Sequence, residues 1–163
     1  MNYCPQCGLK LIQSVVDNTS VKVCQSCGYI DWNNWVNVAC MVVANYQDKG
    51  YVMVKLKGKE SGKITFPGGY RNLGESLEAA AKREFYEETG MEALNVTLYK
   101  TFTKDEQRLV WVVFKADVSE WRFMENDETS EVILVSKKEE IPYHHLRGPL
   151  TVQLANNLWD NPQ

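Results

Sequence analysis

The spacing of apolar and polar residues divides the chain into short strand-length segments and two helix-length ones. Continuous apolar runs predict buried strands at residues 36–44 and 51–56. Further strands, rich in β-branched and aromatic residues, are predicted at residues 96–103, 109–116 and 132–135. The lengths of these segments suit the strands of one sheet.

A different period marks the two predicted helices. Between residues 75 and 89, apolar side chains recur at every fourth position (Leu77, Ala81 and Phe85) and form a stripe along one face. A second helix is predicted at residues 150–159. Because strands are interleaved with helices along the chain, the pattern predicts an α/β domain with a mixed sheet.

Glycine and proline mark the breaks between these segments. Gly90 follows the first helix at the position where a glycine commonly ends one. The Pro-Gly-Gly sequence at residues 67–69 predicts an interruption of regular structure before that helix. Residues 31–35, which contain two tryptophans and two asparagines, are interpreted as a linker.

Four of the five cysteines fall in two pairs: Cys4 with Cys7, and Cys24 with Cys27. This spacing forms two tight turns that direct four sulfurs at one ion, and Zn²⁺ prefers four ligands in a tetrahedron. Iron is the alternative ion. Disulfides are disfavoured, because the sequence shows no secretory signal and cytosolic thiols stay reduced. We predict that residues 1–33 are a zinc ribbon whose metal is structural, since four thiolates leave no open coordination position.

Composition and charge restrict the class of protein further. Lys plus Arg number 18 and Asp plus Glu number 21, a net charge of −3 that argues against a protein coating nucleic acid. The charges of the ribbon cancel (Lys10 and Lys22 against Asp17 and Asp31), so a spacer or homodimerisation role fits it better than binding RNA or DNA. The longest apolar run, residues 38–44, is too short to span a bilayer. With no pattern of a secretory signal, a cytoplasmic location without a membrane partner is expected.

The first predicted helix carries three carboxylates on one face. Glu84, Glu87 and Glu88 stand at i, i+3 and i+4, a spacing at which like charges repel and destabilise a helix. Mg²⁺ binds hard oxygen ligands and is held by one or two carboxylates together with substrate phosphate. A divalent-cation site therefore accounts for this cluster, while a glutamate-rich helix face exposed to solvent is the alternative.

The neighbouring residues extend the cluster into a longer motif. Seven residues stand at set distances from one another and form this motif: Gly69, Glu75, Arg83, Glu84, Glu87, Glu88 and Gly90. This pattern resembles the Nudix box, the signature of Nudix hydrolases, at every one of these positions. Phe85 stands where the family usually has a bulky aliphatic residue, and it keeps that position apolar. The resemblance implies a Nudix α/β/α sandwich with a mixed sheet over residues 34–163, and some Nudix hydrolases also carry an N-terminal zinc ribbon.

Nudix enzymes hydrolyse a nucleoside diphosphate linked to a further group, by attack of water in the presence of Mg²⁺ or Mn²⁺. Carried over by position, the resemblance implies that Glu87 and Glu88 are metal ligands, with a contribution from the carbonyl of Gly68. Glu84 is implied either to bind metal or to activate the attacking water, because members of the family differ on this point.

The resemblance also implies residues that support this site. Arg83 would orient the neighbouring acid through a charge-assisted hydrogen bond, and Glu75 would steady the junction between loop and helix. Many members place one more carboxylate on a loop well after the box. In the acidic loop at residues 125–131, Glu128 is the first candidate and Glu131 the second; the alternative is a loop that is merely solvated.

The sequence restricts the substrate mainly through motifs that it lacks. Residues 92–110 contain no proline and no Ser-Gln-Pro-Trp motif of the kind found in NADH pyrophosphatases. We expect hydrolysis of the pyrophosphate bond of a nucleoside diphosphate derivative, with ADP-ribose, FAD or a related dinucleotide as the leading candidates. The competing hypothesis is a non-catalytic module on the same fold that senses or binds a nucleotide, and the intact box favours the enzyme.

Overall fold

The computed structural model describes residues 1–160 and divides the chain into two compact units. The first unit is Met1–Val36, and the second begins at Asn37. The division thus falls three residues after the boundary expected at residues 33 and 34. None of the helices formed by residues 1–160 is long and apolar enough to cross a membrane.

The first unit is a small antiparallel sheet. Its strands are β1 (Ile12–Val16), β2 (Thr19–Val23) and β3 (Ile30–Asp31), in the order β1-β2-β3. The hairpin between β1 and β2 turns at Asp17 and Asn18, whose φ angles of 48° and 60° are those of a type I′ turn. Short apolar segments at residues 11–16 and 21–23, on either side of residues 17–19, predict a hairpin from the sequence. This hairpin is confirmed, and β3 is an addition that lies partly in the expected linker.

The second unit is built on a mixed seven-stranded sheet. Its strands are β4 (Asn37–Tyr46), β5 (Tyr51–Leu56), β6 (Ile64–Thr65), β7 (Gly68–Tyr70), β8 (Leu94–Lys104), β9 (Leu109–Val118) and β10 (Thr129–Val135). The main order is β10-β5-β4-β9-β8, with β6 paired to β5 and β7 paired to β4. The central strands β4 and β9 run parallel, and the other pairs are antiparallel.

Two helices, α1 (Leu77–Thr89) and α2 (Pro149–Asp160), cover opposite faces of this sheet. The strand β4 can contact both helices, because successive side chains of a strand point to opposite faces of the sheet. Val42 packs in the cluster that contains Phe85 of α1, whereas Val43 packs in the cluster that contains Leu154 of α2. The predicted α/β sandwich with a mixed sheet is confirmed.

The first helix begins two residues later than predicted. Ser76, expected inside the helix, has extended dihedrals, and its Oγ accepts a hydrogen bond of 3.1 Å from the N–H of Ala79. Its hydroxyl thereby satisfies a backbone donor that has no partner within the helix. The predicted end is confirmed: Gly90 takes a left-handed conformation (φ 77°) directly after Thr89.

Two other predictions about the loops are wrong. Gly68 lies in β7, paired with β4, although an interruption was expected there. The pairing depends on glycine, since a Cβ at Gly68 would collide with the carbonyl oxygen of Cys40. The acidic segment was expected to stay a loop through Glu131, but β10 begins at Thr129 and Glu131 pairs with Lys55 of β5.

Candidate active site and candidate zinc site

The carboxylate helix α1 and β7 border a cleft of the second unit. The cleft has a volume of about 560 Å³. The lining comes from the end of β5 and the loop after it, from β7 and the loop after it, from α1, from β9, and from the segments before and after β10. The lining residues are Leu56, Lys57, Gly58, Lys59, Glu60, Gly68, Gly69, Tyr70, Asn72, Glu84, Glu88, Trp111, Asp127, Glu128 and Arg147.

Glu88 is the most deeply buried carboxylate of the cleft. It lies in the last turn of α1 with only 6% of its surface exposed, and its Oε2 accepts a hydrogen bond of 3.1 Å from the N–H of Gly68. Burial disfavours the charged form and raises the pKa of Glu88 to about 8, although the Gly68 N–H acts in the opposite direction. Glu88 is therefore mostly protonated at neutral pH unless a cation neutralises it.

Glu84, one turn earlier on α1, lies directly against β7. A Cβ built at Gly69 would collide with the carboxylate of Glu84, so this approach requires the glycine. Burial raises the pKa of Glu84, while the guanidinium of Arg83 opposes that shift through a hydrogen bond of 2.7 Å. The helix thus presents two acids with raised pKa values to the same cleft.

Arg83 connects these acids to the loop before the helix. Its guanidinium donates two hydrogen bonds to Glu75, from Nε to Oε1 at 2.6 Å and from Nη2 to Oε2 at 3.0 Å. The same group also donates to Glu84 and Glu87, and to the carbonyl oxygen of Tyr70. Its hydrogen bonds are the main reason why the pKa of Glu75 falls to about 2, so Glu75 stays charged.

The predicted acids do not all face the cleft. Glu128 lines it, whereas Glu131 lies outside its lining, on β10, 3.6 Å from the ammonium of Lys55. Glu87 is 56% exposed, and its Oε2 accepts a hydrogen bond of 3.0 Å from Arg83 rather than lining the cleft. The structure therefore places Glu84, Glu88 and Glu128 in the lining of one cleft; the role of each as a metal ligand stays a prediction.

The sequence predicts that the alternating Lys57 and Lys59 either face phosphates or lie at a solvated strand end, and that Trp111 either stacks on a base or, more in keeping with its strand, packs in the core. The structure places all three in the cleft lining. Arg147 also lines the cleft and was missed, because nothing in the sequence indicates that it reaches there. Asn126 was also missed, although its side chain makes four hydrogen bonds around the loop before β10. Only the three-dimensional proximity of distant segments could have revealed these residues.

A second, smaller pocket of about 280 Å³ shares Glu60, Tyr70, Trp111 and Arg147 with the cleft. Its other lining residues come mainly from β4, β6, the end of β8, β9 and the start of α2: Met41, Thr65, Lys104, Gln107, Leu109, Gly148, Pro149, Leu150 and Thr151. This pocket therefore continues the cleft along the wall formed by Trp111 and Tyr70.

Two buried hydroxyls lie in the lining of this second pocket. The Oγ1 atoms of Thr65 and Thr151 are 3.1 Å apart, and both residues are almost fully buried. Their mutual hydrogen bond uses one of the two hydroxyl protons. The pair therefore has one further proton that it can donate to an acceptor atom.

The four cysteines of the first unit form a compact cluster. The sulfur of Cys4 is 3.4 Å from that of Cys27, and the sulfur of Cys7 is 3.4 Å from that of Cys24. All four sulfurs lie within 4.8 Å of one another, and they are the only such group of potential ligands among residues 1–160. A tetrahedral zinc site with bonds of about 2.3 Å has sulfur–sulfur edges of about 3.8 Å, so the cluster fits Zn²⁺.

The backbone of each cysteine turn supports this cluster. The N–H of Gly8 donates to the carbonyl oxygen of Cys4 at 2.9 Å, and the N–H of Gly28 donates to that of Cys24 at 3.0 Å. Hydrogen bonds from the N–H groups of Cys27 and Ser26 lower the pKa of Cys24 to about 6. The pKa of Cys4 is lowered as well, whereas that of Cys27 is raised and that of Cys7 rises to about 12. A thiolate is the form of cysteine that binds a metal, so the ligating state is favoured at Cys4 and Cys24 before any ion binds.

Comparisons with known proteins bear on the family and the fold. A family profile described as NUDIX domain matches residues 34–153, which is most of the chain. The chain therefore belongs to the Nudix family. A solved structure of a Nudix hydrolase from Nitrosomonas europaea superposes with a TM-score of 0.79 at 22% identity, over 99% of this chain and 92% of that one. This likeness supports the fold.

Curated relatives match over a shorter region. An 8-oxo-dGTP diphosphatase from Haemophilus influenzae is 34% identical over 87 residues, which are 53% of this chain and 64% of that protein. A NAD-capped RNA hydrolase, NudC, from Vibrio vulnificus is 28% identical over 99 residues, which are 61% of this chain and 36% of that protein. The matches thus span less than two thirds of the length of either relative.

Proposed function

We propose that this protein hydrolyses the pyrophosphate bond of a nucleoside diphosphate derivative with Mg²⁺ or Mn²⁺ as cofactor. The observation that carries the proposal is the pair of acids Glu84 and Glu88, both withdrawn from solvent beside a cleft that Gly68 and Glu128 also line. Burial raises the pKa of both acids. A bound divalent cation favours their charged forms and so offsets the cost of burying them.

The oxygen donors of this region suit the proposed cofactor. Carboxylates and backbone carbonyls are preferred ligands of Mg²⁺ and Mn²⁺. We assign Glu88, Glu128 and the carbonyl of Gly68 as ligands within the cleft, with Glu87 at its edge. When bound, the cation neutralises charge on the phosphoryl oxygens and lowers the pKa of a coordinated water.

Glu84 is the residue we assign as the proton acceptor for the attacking water. Its pKa is raised toward the range in which a carboxylate accepts a proton effectively near neutral pH. Arg83 fixes its orientation through the hydrogen bond to Oε1, and Glu75 fixes Arg83 through two more. Glu75 and Arg83 therefore act on the reaction by positioning Glu84.

The second pocket is the place we assign to the nucleoside. Its volume accommodates a nucleobase, Trp111 offers an aromatic surface, and the Thr65–Thr151 pair has a proton for a ring nitrogen or carbonyl oxygen. ADP-ribose and FAD, our leading substrates, share a purine nucleoside joined to a pyrophosphate. The 8-oxo-dGTP named for one relative has the same arrangement, so we add it to the candidates.

Basic side chains in the lining of the cleft support a phosphate-bearing substrate. Lys59 and Arg147 line the same cleft as the acids, and the ion-pair partner of Arg147 is Glu60 on another segment of the lining. Positive groups of this kind are attracted to pyrophosphate oxygens that the metal does not neutralise. Lys57 is less available, because its ammonium already binds Glu125 and the carbonyl oxygen of Asn126.

The experiment that tests the proposal is turnover of a substrate panel. ADP-ribose, FAD, NADH and 8-oxo-dGTP are incubated separately with the protein and Mg²⁺, and the products are separated by chromatography. We expect a mononucleotide product from at least one of them, and its loss in the Glu84→Gln variant. Binding of nucleotides without turnover of any would contradict the proposal and support the non-catalytic module.

A further inference from the structure

Asn126 lies in the loop before β10 and joins that loop to the carboxylate helix. Its Nδ2 donates hydrogen bonds to the carbonyl oxygens of Glu88 and Met124, both at 3.1 Å. Its Oδ1 accepts hydrogen bonds from the N–H of Glu128 at 3.0 Å and from the N–H of Thr129 at 2.8 Å. One rigid amide group is thus bonded to the backbone of two residues that line the cleft on separate elements.

The contact to Glu88 is made where the helix itself cannot supply a partner. The last carbonyls of an α-helix have no intrahelical donor, and α1 ends at Thr89. Asn126 provides a donor for the carbonyl of Glu88, and the N–H of Met124 provides one for the carbonyl of Thr89 at 3.2 Å. The loop is therefore fixed to the end of α1 at two adjacent points.

The loop before β10 is also hydrogen-bonded to Lys57, the residue that directly follows β5. Its ammonium donates to the carbonyl oxygen of Asn126 at 2.8 Å, and its backbone N–H donates to the carbonyl oxygen of Glu128 at 2.8 Å. Anchors on both sides restrict where the backbone of Glu128 can lie. The carboxylate of Glu128 is consequently carried to the cleft by a braced backbone rather than by a free loop.

We propose that Asn126 is a positioning residue that sets the place of Glu128 relative to Glu84 and Glu88, and thereby the affinity of the cleft for its divalent cation. This inference rests on the proposed function. A planar side-chain amide suits the task because it holds a donor and an acceptor at a fixed separation. Residues that orient metal ligands in this way commonly change metal affinity by 10- to about 100-fold when they are removed.

A double-mutant cycle tests the inference. Binding of Mn²⁺ to the protein is measured by calorimetry for the wild type, Asn126→Ala, Glu128→Gln and the double variant. We expect Asn126→Ala to weaken binding about tenfold in the wild-type background. In the Glu128→Gln background the same change should have an effect of less than about twofold, because coupled residues are not additive.

The cycle separates positioning from a loss of structure. An equal loss of affinity in both backgrounds, or unchanged affinity in Asn126→Ala, would overturn the inference. Asn45→Ala is the matched control, because Asn45 closes a turn through a hydrogen bond of 2.7 Å from the N–H of Asp48, in the turn between β4 and β5. This control should leave Mn²⁺ affinity unchanged, and a loss there as large as in Asn126→Ala would overturn the inference too.

Turnover supplies a second readout that distinguishes the inference from the proposed function. In Asn126→Ala, the Mg²⁺ concentration for half-maximal activity should rise about tenfold, and excess Mg²⁺ should restore most of kcat. A wild type that binds Mn²⁺ but cleaves no substrate refutes the function alone, and the binding cycle still decides the inference. A wild type that binds no Mn²⁺ refutes both.

Discussion

Glu88 is a carboxylate whose protonation is coupled to folding. Its pKa is about 8 in the folded chain, against about 4.5 for an exposed glutamate. The folded state therefore binds a proton that the unfolded state releases. This coupling stabilises the cation-free fold fully below pH 4.5 and is lost as the pH rises through 8, at about 1.4 kcal/mol for each unit of pKa difference.

Glu88→Gln should remove this dependence on pH. Glutamine retains an oxygen that can accept the Gly68 hydrogen bond but cannot ionise, so the variant should be more stable than the wild type at pH 8.5 without cation. Urea unfolding between pH 5 and 9 in the presence of a chelator measures the difference. Parallel stability curves for the two proteins would show that Glu88 does not titrate as its burial requires.

Activity should respond in the opposite direction to stability. Glu88→Gln and Glu87→Gln each remove a carboxylate that we assign to the cation, and we expect turnover to fall about 10²- to 10³-fold. Glu78→Gln is the control, since Glu78 lies in the first turn of α1 and outside the cleft lining. Steady-state turnover during a Mg²⁺ titration compares the three variants. Small effects of similar size at all three positions would mean that these carboxylates take no part in the reaction.

At the scale of elements, the site depends on how closely β7 approaches α1. Gly69→Ala places a methyl group where the Glu84 carboxylate lies, so that side chain must leave its present position. We expect activity to fall at least about tenfold, because misplaced catalytic groups are costly. The fold should be retained, since the clash is with the end of a flexible side chain. Thermal unfolding and turnover are measured on the same preparation.

Gly62→Ala is the control for this variant. Gly62 has open space around its missing Cβ and lines neither pocket, so the added methyl group meets no neighbour. Its left-handed backbone (φ 85°) predicts some loss of stability, but turnover should stay within about twofold of the wild type, which corresponds to less than about 0.5 kcal/mol. If Gly69→Ala turned over substrate as fast as Gly62→Ala does, close approach of β7 to Glu84 would not matter for the reaction.

The elements that could be predicted from the sequence are those whose signal is local. The period of Ala81 and Phe85 identified α1, and the apolar run around Val42 identified β4, because each pattern reflects one element facing one core. β7 could not be predicted, since Gly68 has no strand propensity and pairs only because β4 accepts a close neighbour.

The same distinction applies to the site. The fixed spacing on one helix was enough to select Glu84 and Glu88 as candidate site residues. Their burial could be seen only in the structure. Asn126 and Arg147 could not be selected, because their contribution depends on which distant backbone or cleft they reach. Glu87 shows the limit of spacing alone, since it shares the helix face but is bound to Arg83.

At the scale of the whole molecule, the two compact units differ in what stabilises them. The buried apolar cluster of the first unit consists of Cys4, Leu11 and Cys24, with Tyr29 packed against it. Two of its three buried members are thus proposed metal ligands. So small a core does not support folding by itself, and a bound ion is the usual source of the missing stability.

We therefore predict about one zinc ion per chain and its loss in Cys24→Ser. Hydrogen exchange should show that amides of β1 and β2 lose protection in this variant while those of β4 and β9 keep theirs. Cys40→Ala is the control, because Cys40 is buried in the second unit and should leave the zinc content unchanged. Purified protein without metal, in which all four clustered thiols react freely with a thiol reagent, would contradict the prediction.

The parallel pairing of β4 with β9 has a consequence for how the chain acquires its structure. The register joins Asn37 to Leu109 and Tyr46 to Val118, a sequence separation of 72 residues in each pair. A ribosome must therefore release the chain well past β9 before the middle of the sheet can close, and until then the apolar β4 has an unpaired edge. Pairings of such long range form slowly, so we expect the nascent chain to be most prone to aggregation during synthesis of this interval.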